Sequence, residues 1–362
     1  MFSIDMLPAK QGDCLWVEYG SASDPSRVLI DGGVVSTYDI LRERILALPE
    51  ADREIELVVI THVDKDHIEG IIKLFNDRNL KLKIGDVWYN GWHHIAPPDR
   101  LGALQGEFLS ALIKDRKLPW NKNFKKKRIV IGDDNDLPVV TLPGGMKITL
   151  LAPTSDGLQS MQSVWEKEVL KKKIQPGDSE AALKYMIDKR PEYQPPDLLG
   201  ERKLNVKKLA RAEFEDDTSP ANASCIAFLA EFEGQSCLFS GDAYSTTLET
   251  SLQHILEASG KDKLKIDALK VSHHGGSHNL SPSLLKLLKC SRYLFSTDGS
   301  YYHHPDPESI ARVLYAGGSK PTLCFNYRSD ENLIWNKASL MREHKYRAEY
   351  PVEDEEGLLI KI

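Results

Sequence analysis

Short apolar runs alternate with polar turns along most of the chain. Phe2, Ile4 and Met6 alternate with polar neighbours, and Cys14, Trp16 and Val17, then residues 28–30, follow across turns containing Gly and Pro. This pattern predicts successive strands in a small antiparallel start. Leu57, Val58, Val59 and Ile60 form a continuous, largely β-branched run, as in a buried strand. Behind it, Ile68, Ile71, Ile72, Leu74 and Phe75 recur at the spacing of one helical face. An amphipathic helix is expected over about 40–48, and further strands over 83–89, 148–151, 226–229, 237–239, 266–271 and 293–296. Such alternation predicts a layered α/β fold. Residues 155–218 break the rhythm with charged helical pieces and with Pro191, Pro195 and Pro196. They are expected to form a cap or lid inserted into a single domain spanning 1–362.

Chemistry gathers where the strands stop. The 57–60 run gives way to Thr61-His62, and His62, Asp64, Asp66 and His67 follow before the helix. Two imidazoles and two carboxylates in one turn are either solvated or hold a divalent cation, which offsets their desolvation and orients them. The metal site is the preferred reading. Strand 28–30 runs into Asp31-Gly32-Gly33, where Asp31 either supports that site or caps a glycine turn. Strand 237–239 ends in Ser240-Gly241-Asp242, strand 266–271 leads to Ser272-His273-His274-Gly275-Gly276, and strand 293–296 precedes Tyr302-His303-His304-Pro305. A lone Asp at such a place reads as a helix cap. Repetition at several strand ends points to one shared site.

At these residues the chain resembles the metallo-β-lactamase superfamily, whose H-x-H-x-D-H signature follows a buried strand. Here the form is H-x-D-x-D-H. Together with Ser240-Gly241-Asp242, His273-His274-Gly275 and the 302–307 run, it is similar to the hydrolase domain of ComEC-type competence proteins. The likeness covers nearly all the chain except a basic loop and the 155–218 segment. It implies an α/β fold, a four-layer αββα sandwich of two mixed β-sheets flanked by helices. It also implies two divalent metal ions: one held by Asp66, His67 and His304, with Asp242 bridging to a second held by His62, Asp64 and Asn222. Asp64 and Asn222 stand where most relatives carry histidine, so oxygen replaces nitrogen around the second ion. Mn²⁺ is therefore expected, with Zn²⁺ the close alternative. The implied chemistry is attack of a bridging hydroxide on a phosphodiester. Asp66 would orient the nucleophile and His274 or its neighbour His273 would protonate the leaving oxygen. Asp31 would lie behind the ligands. No segment resembles the membrane channel of competence proteins, so a role in DNA uptake does not carry over.

Composition narrows this only a little. A hydrophobic content of 41 % suffices for a sizeable core. No apolar run is long enough to span a bilayer and the first residues lack the order of a signal peptide, so a cytoplasmic protein with no membrane partner is expected. The five cysteines (Cys14, Cys225, Cys237, Cys290 and Cys324) lack paired spacing, which predicts buried thiols and no Cys-based zinc site. A net charge of −6 gives no overall attraction for nucleic acid. Locally, the loop at about 111–130 carries Lys122, Lys125, Lys126, Lys127 and Arg128 with Trp120 and Phe124 interleaved. It reads either as a phosphate-backbone contact with stacking rings or, slightly favoured for a lone basic run, as a solvated loop with its aromatics packed inward. The leading expectation is a metal-dependent phosphodiesterase or nuclease, its partner a nucleic acid or other phosphodiester. The alternatives are a hydrolase of a small phosphodiester or other ester, and a non-catalytic or partner-regulated subunit that meets a protein partner through the 155–218 segment.

Overall fold

The computed structural model describes residues 1–95, 104–125, 127–132, 136–170, 204–318 and 320–362. Its strands are β1 (Phe2–Met6), β2 (Leu15–Ser21), β3 (Asp24–Ile30), β4 (Glu54–Val59), β5 (Lys83–Trp88), β6 (Val139–Thr141), β7 (Lys147–Ala152) and β8 (Ala227–Phe232). They continue as β9 (Gln235–Phe239), β10 (Leu264–Lys265), β11 (Ala268–Lys270), β12 (Leu288–Lys289), β13 (Arg292–Phe295), β14 (Thr322–Phe325), β15 (Arg347–Glu349) and β16 (Leu358–Lys361). One mixed sheet runs β16-β1-β2-β3-β4-β5, and a second runs β15-β14-β13-β11-β9-β8-β7-β6. β10 and β12 form a small separate pair.

Alternation within each strand builds the layers. In β4, Leu57 and Val59 point into an apolar layer shared with Phe228, Phe239 and Leu294 of the second sheet. Their neighbours Val58 and Ile60 face the opposite way, onto Ile68, Ile71, Phe75, Leu109 and Trp165 of flanking helices. The second sheet repeats the division: Leu294 faces inward, while Tyr293 and Phe295 meet Leu248, Leu284 and Ile310 on its outer helices. Three apolar layers thus separate helix, sheet, sheet and helix, the αββα sandwich of two mixed sheets expected from the sequence. All five cysteines are buried and unpaired. No helix among the described residues is long and apolar enough to cross a membrane.

Each sheet is antiparallel towards one edge and parallel towards the other. β3, β4 and β5 run parallel, as do β9, β11, β13 and β14. Carboxyl ends of parallel strands open onto a crevice, and here the two sheets open on the same one. Residues just beyond β3 and β4 (Asp31, His62) lie next to residues just beyond β9 and β11 (Asp242, His273, His274). The Ile226 N–H donates to the Thr61 carbonyl at 2.9 Å, tying the rims together.

The part of 155–218 that is described belongs to the two helical layers. Helix Ser155–Leu170 buries Leu158, Met161 and Trp165 against the first sheet's helices, and Val206 joins the outer core of the second. Residues 171–203 of the expected 155–218 lid lie outside the described residues.

Close backbone packing fixes the helix Lys65–Asn76 beneath the site. A Cβ on Gly70 would stand 1.9 Å from the Gly32 carbonyl oxygen, and the Gly32 N–H donates to the His67 carbonyl at 2.8 Å. Neither backbone can retreat without moving Asp31 or His67. Gly70→Ala is therefore expected to destabilise the protein by about 2–3 kcal/mol through overpacking, despite the roughly 1 kcal/mol that Ala gains in helix propensity. Urea unfolding of the two proteins checks this, and an unchanged or raised midpoint contradicts it.

Candidate metal centre

The centre is built from imidazoles that are tied at one nitrogen and open at the other. After β4 the chain turns at Thr61-His62, and Asp64 precedes the first turn of helix Lys65–Asn76, which carries Asp66 and His67. Asp31 sits at φ +58°, a left-handed conformation that an Asp tolerates better than a branched residue would. There its carboxylate accepts from the Thr61 N–H at 2.8 Å, the Thr61 hydroxyl at 2.7 Å and His67 Nδ1 at 2.8 Å. Since the Thr61 hydroxyl donates to Asp31, its oxygen is left to accept from His62 Nδ1, at 3.0 Å. One buried carboxylate thereby sets the tautomer of two histidines. Both present Nε2 to the same place.

From the second sheet, His274 makes the same kind of commitment. Its Nδ1 donates to the Ser296 carbonyl at 2.8 Å. His273 and His274 both have positive φ, +48° and +56°, in the short helical turn Ser272–Gly275. Consecutive non-glycine residues there are sterically costly and persist where the surroundings over-determine them. The turn aims both rings at Asp242. The Asp242 Oδ2 atom lies 3.4 Å from His67 Nε2, 3.7 Å from His62 Nε2, 3.8 Å from His273 Nε2 and 3.9 Å from His274 Nε2. Asp64 Oδ2 is 3.5 Å from His62 Nε2, and Asp66 Oδ2 is 3.8 Å from His274 Nε2.

The fit to a divalent cation rests on what these atoms lack. Among the described residues, Nε2 of His62, His67 and His274, Oδ1 of Asp242 and Oδ1 of Asn222 are buried without a hydrogen-bond partner. Buried polar atoms are rarely left so. Here they cluster, and Asp13, His67, Asp242 and His274 offer donor atoms within 4.8 Å of one another. Imidazole nitrogens and carboxylate oxygens tied from behind are the donor set of a metal site.

No family model matches the chain, and no curated protein matches it. Solved structures with a similar fold include the short form of human tRNase Z, at 9 % identity and a TM-score of 0.43, covering 100 % of this chain and 99 % of that one. The metallo-beta-lactamase fold protein YhfI from Bacillus subtilis is similar at 11 % identity and a TM-score of 0.41, covering 100 % of both chains. A mutant of CmlA beta-hydroxylase is similar at 11 % identity and a TM-score of 0.40, and this chain spans 54 % of its length. The centre stands on its own geometry.

The remaining sequence-derived candidates take distinct places. Asn222, on the short helix Pro220–Ala223, donates its amide to Asp217 Oδ2 at 2.6 Å and turns its free oxygen inward. His304 was grouped with Asp66 and His67 in the sequence. In the structure the ring beside Asp66 is His274, while His304 donates Nδ1 to Asp306 at 3.0 Å, with its ring centroid 5.4 Å from that of His273. His303 is exposed and pairs with Glu331 at 3.0 Å. In the basic loop, Trp120 donates to the Tyr89 carbonyl at 2.8 Å and stacks on the Tyr89 ring, while Phe124 meets Trp88 edge-on at 5.0 Å. Both aromatics are committed to packing, and Lys122, Lys125, Lys127 and Arg128 are exposed. Lys126 lies outside the described residues.

Two residues escaped the sequence reading. Asp13, in the turn between β1 and β2, and Lys270, in β11, are each 1 % exposed and pair at 2.5 Å. A lysine inside an apolar strand is the signal that could have found them, because a buried ammonium needs a counter-ion.

Without a cation, protons occupy this cluster. Burial opposes charge on His67, but the carboxylates of Asp242 and Asp31 outweigh it and hold the imidazolium well above its usual range. Burial likewise opposes charge on His273, yet Asp242 and the hydrogen bonds of Asp217 and Asn279 raise it from 6.5 to about 9. Burial alone would raise Asp242, and His67, His273 and His274 instead hold it well below 3.8. The raised His273 contributes stability that is full below pH 6.5 and lost as pH climbs through about 9, and His67, also raised, acts in the same direction. The lowered carboxylate contributes stability that is present above pH 3.8 and lost as pH falls. In the presence of chelator, the melting temperature should therefore decline from pH 6.5 to about 9. A cation that replaces the Nε2 protons should reverse the decline. Thermal melts with and without Mn²⁺ or Zn²⁺ check this, and a flat or rising chelator curve contradicts it.

Proposed function

We propose that the protein is a metal-dependent hydrolase of phosphodiesters, with nucleic acid the leading substrate class. The observation that carries this reading is the convergence of partnerless Nε2 atoms of His62, His67 and His274 on the Asp242 carboxylate. His67, His274, Asp66 and Asp242 would hold one ion, and His62, Asp64, Asn222 and Asp242 a second. Two such ions supply an activated water and positive charge for the non-bridging and leaving oxygens of a phosphodiester. The oxygen donors Asp64, Asp66, Asp242 and Asn222 favour Mn²⁺, and the convergent imidazoles favour Zn²⁺.

The chain's own groups then divide the work. Asp66, mostly buried beside His274, would orient the attacking water while holding its ion. His274 is fully buried and faces inward, which suits a ligand. His273 is one-quarter exposed at its side chain, and its Nδ1 is fixed by Asn279 at 2.9 Å. Lining the cleft, with Nδ1 held by Asn279, it has Nε2 available to carry a proton to the leaving oxygen. We therefore assign His273 as the general acid. Asp31 and Thr61 hold the ligands' tautomers. The exposed heads of Lys122, Lys125, Lys127 and Arg128 provide a phosphate contact for a longer substrate.

A leaving-group comparison tests the assignment. His273→Ala should lower kcat on oligonucleotides, whose alkoxide leaving group needs a proton, by roughly 10²–10⁴-fold. Its effect on bis-p-nitrophenyl phosphate, whose phenolate leaves unaided, should be much smaller. Asp242→Ala should abolish metal binding and both activities. Equal losses on the two substrates remove His273 from the acid role. Absence of cleavage of single- or double-stranded DNA or RNA at full metal occupancy removes nucleic acid, and turnover confined to the small diester then favours a small-molecule substrate.

A further inference from the structure

Behind the imidazoles lies an ion pair to which the mechanism above gives no task. Lys270 is the last residue of β11, and its ammonium meets Asp13 Oδ2 at 2.5 Å and the Val271 carbonyl at 3.1 Å. Such a pair is poor evidence of a contribution to stability. Desolvating two charges costs about as much as their attraction returns, and apolar residues of similar volume commonly serve as well. What the pair does hold in place is Asp13. The other oxygen of that carboxylate, Oδ1, is buried with no hydrogen-bond partner and lies 3.5 Å from His274 Nδ1.

The backbone around Asp13 is also fixed against the ligand turn. A Cβ on Gly12 would stand 1.8 Å from the Asp66 carbonyl oxygen, so the chain entering Asp13 rests directly on the peptide of Asp66. The Gly33 N–H donates to the Asp13 carbonyl at 2.8 Å, and the Gly12 carbonyl accepts from the Ser296 hydroxyl at 3.2 Å. Ser296 is the residue whose carbonyl already holds His274 Nδ1. Asp13 thus touches both halves of the centre.

We propose that Asp13 is a positioning residue for His274, and that Lys270 is present to pin and neutralise Asp13. This rests on the reading of the cluster as a metal centre. The Asp13 carboxylate and the Ser296 carbonyl together face the Nδ1–H side of the ring. They keep the proton there, leave Nε2 free for the cation, and raise its basicity as a ligand. Lys270 draws Oδ2 away, so that Oδ1 faces the ring and the charge of Asp13 is offset inside the core. The pair supports affinity for the metal. Stability of the metal-free fold does not depend on it.

Three variants separate these effects: Asp13→Asn, Lys270→Met, and the two combined. Stability is read by urea unfolding in chelator, and affinity for Mn²⁺ and Zn²⁺ by titration calorimetry. Each single change leaves one charge buried alone and should lower the unfolding midpoint, and the double variant should recover most of that loss. The double variant and Asp13→Asn should still bind the cations roughly 10–100-fold more weakly than the parent. A double variant that recovers stability and binds within twofold of the parent overturns the proposal and leaves the metal centre intact. A parent that binds no divalent cation overturns the metal centre itself, and this proposal with it. Because core variants can fail to fold, long-range ¹H–¹⁵N spectra of the Zn²⁺-loaded parent supply a second measurement. The proposal requires His274 to carry its proton on Nδ1, and a proton on Nε2 defeats it.

Discussion

The carboxylate of Asp242 stands in a buried space with the Nε2 atoms of four histidines 3.4–3.9 Å away, and the rest of the site follows from keeping that arrangement tolerable. Imidazoles this close repel one another when charged, and their unpaired nitrogens cost desolvation when neutral. Either a set of protons or a cation has to fill the space. Every surrounding hydrogen bond acts on the far nitrogen: Asp31 and Thr61 for His67 and His62, Ser296 for His274, and Asn279 for His273. The ring nitrogens are thereby oriented in the metal-free protein, which would lower the ordering cost of binding a cation.

That orientation depends on the meeting of two sheets. Each contributes parallel strands whose carboxyl ends open on the same crevice, and the layer of Leu57, Val59, Phe228, Phe239 and Leu294 holds those ends in register. The glycine contacts do the same at close range. Gly70 against Gly32, and Gly12 against Asp66, let backbones touch where any side chain would force them apart. Rigid backbone at these points is what allows short side chains such as Asp31 and Asp13 to reach their targets.

Much of this was legible in the sequence because the signals were local. A β-branched run that stops at His62, and strands that stop at Asp242 and His273, carry their own explanation, since such residues are a poor way to end a buried strand. The alternation gave a layered α/β fold, and its four-layer αββα form was implied by the resemblance to the metallo-β-lactamase superfamily. Three features were less legible because they depend on contacts between distant parts of the chain. His273 and His274 were indistinguishable as neighbours, and only the left-handed turn at both residues shows one ring entering the core and the other facing the cleft. That His274 stands beside Asp66 was not legible either. Asp13 and Lys270 are 257 positions apart in the sequence, so neither hinted at the other until the chain was folded. The basic loop shows the converse. Its sequence left stacking on bases open while slightly favouring inward packing of the aromatics, and Trp120 and Phe124 are spent on Tyr89 and Trp88.

The cleft beside the centre bears on how an anionic substrate would be admitted. A cavity of about 300 Å³ is lined by Glu215, Asp216, Asp217 and Asp306 together with His273, His278 and His304. Four carboxylates beside the centre oppose a polyanion; Glu215 is exposed, and the three aspartates are engaged by internal donors. Asp217 accepts from Asn222, Asn279 and the Ser219 N–H, Asp216 from the Thr246 N–H and hydroxyl, and Asp306 from the Ser277 N–H and His304. Hydrogen bonding disperses their charge without cancelling it. On the proposed reading, the metal-free cleft therefore repels phosphate, and the positive charge of bound cations reverses the sign of the local field. Metal binding and substrate binding are then linked: whatever loosens the histidine cage weakens the hold on the phosphodiester as well, even where no cage residue touches the substrate.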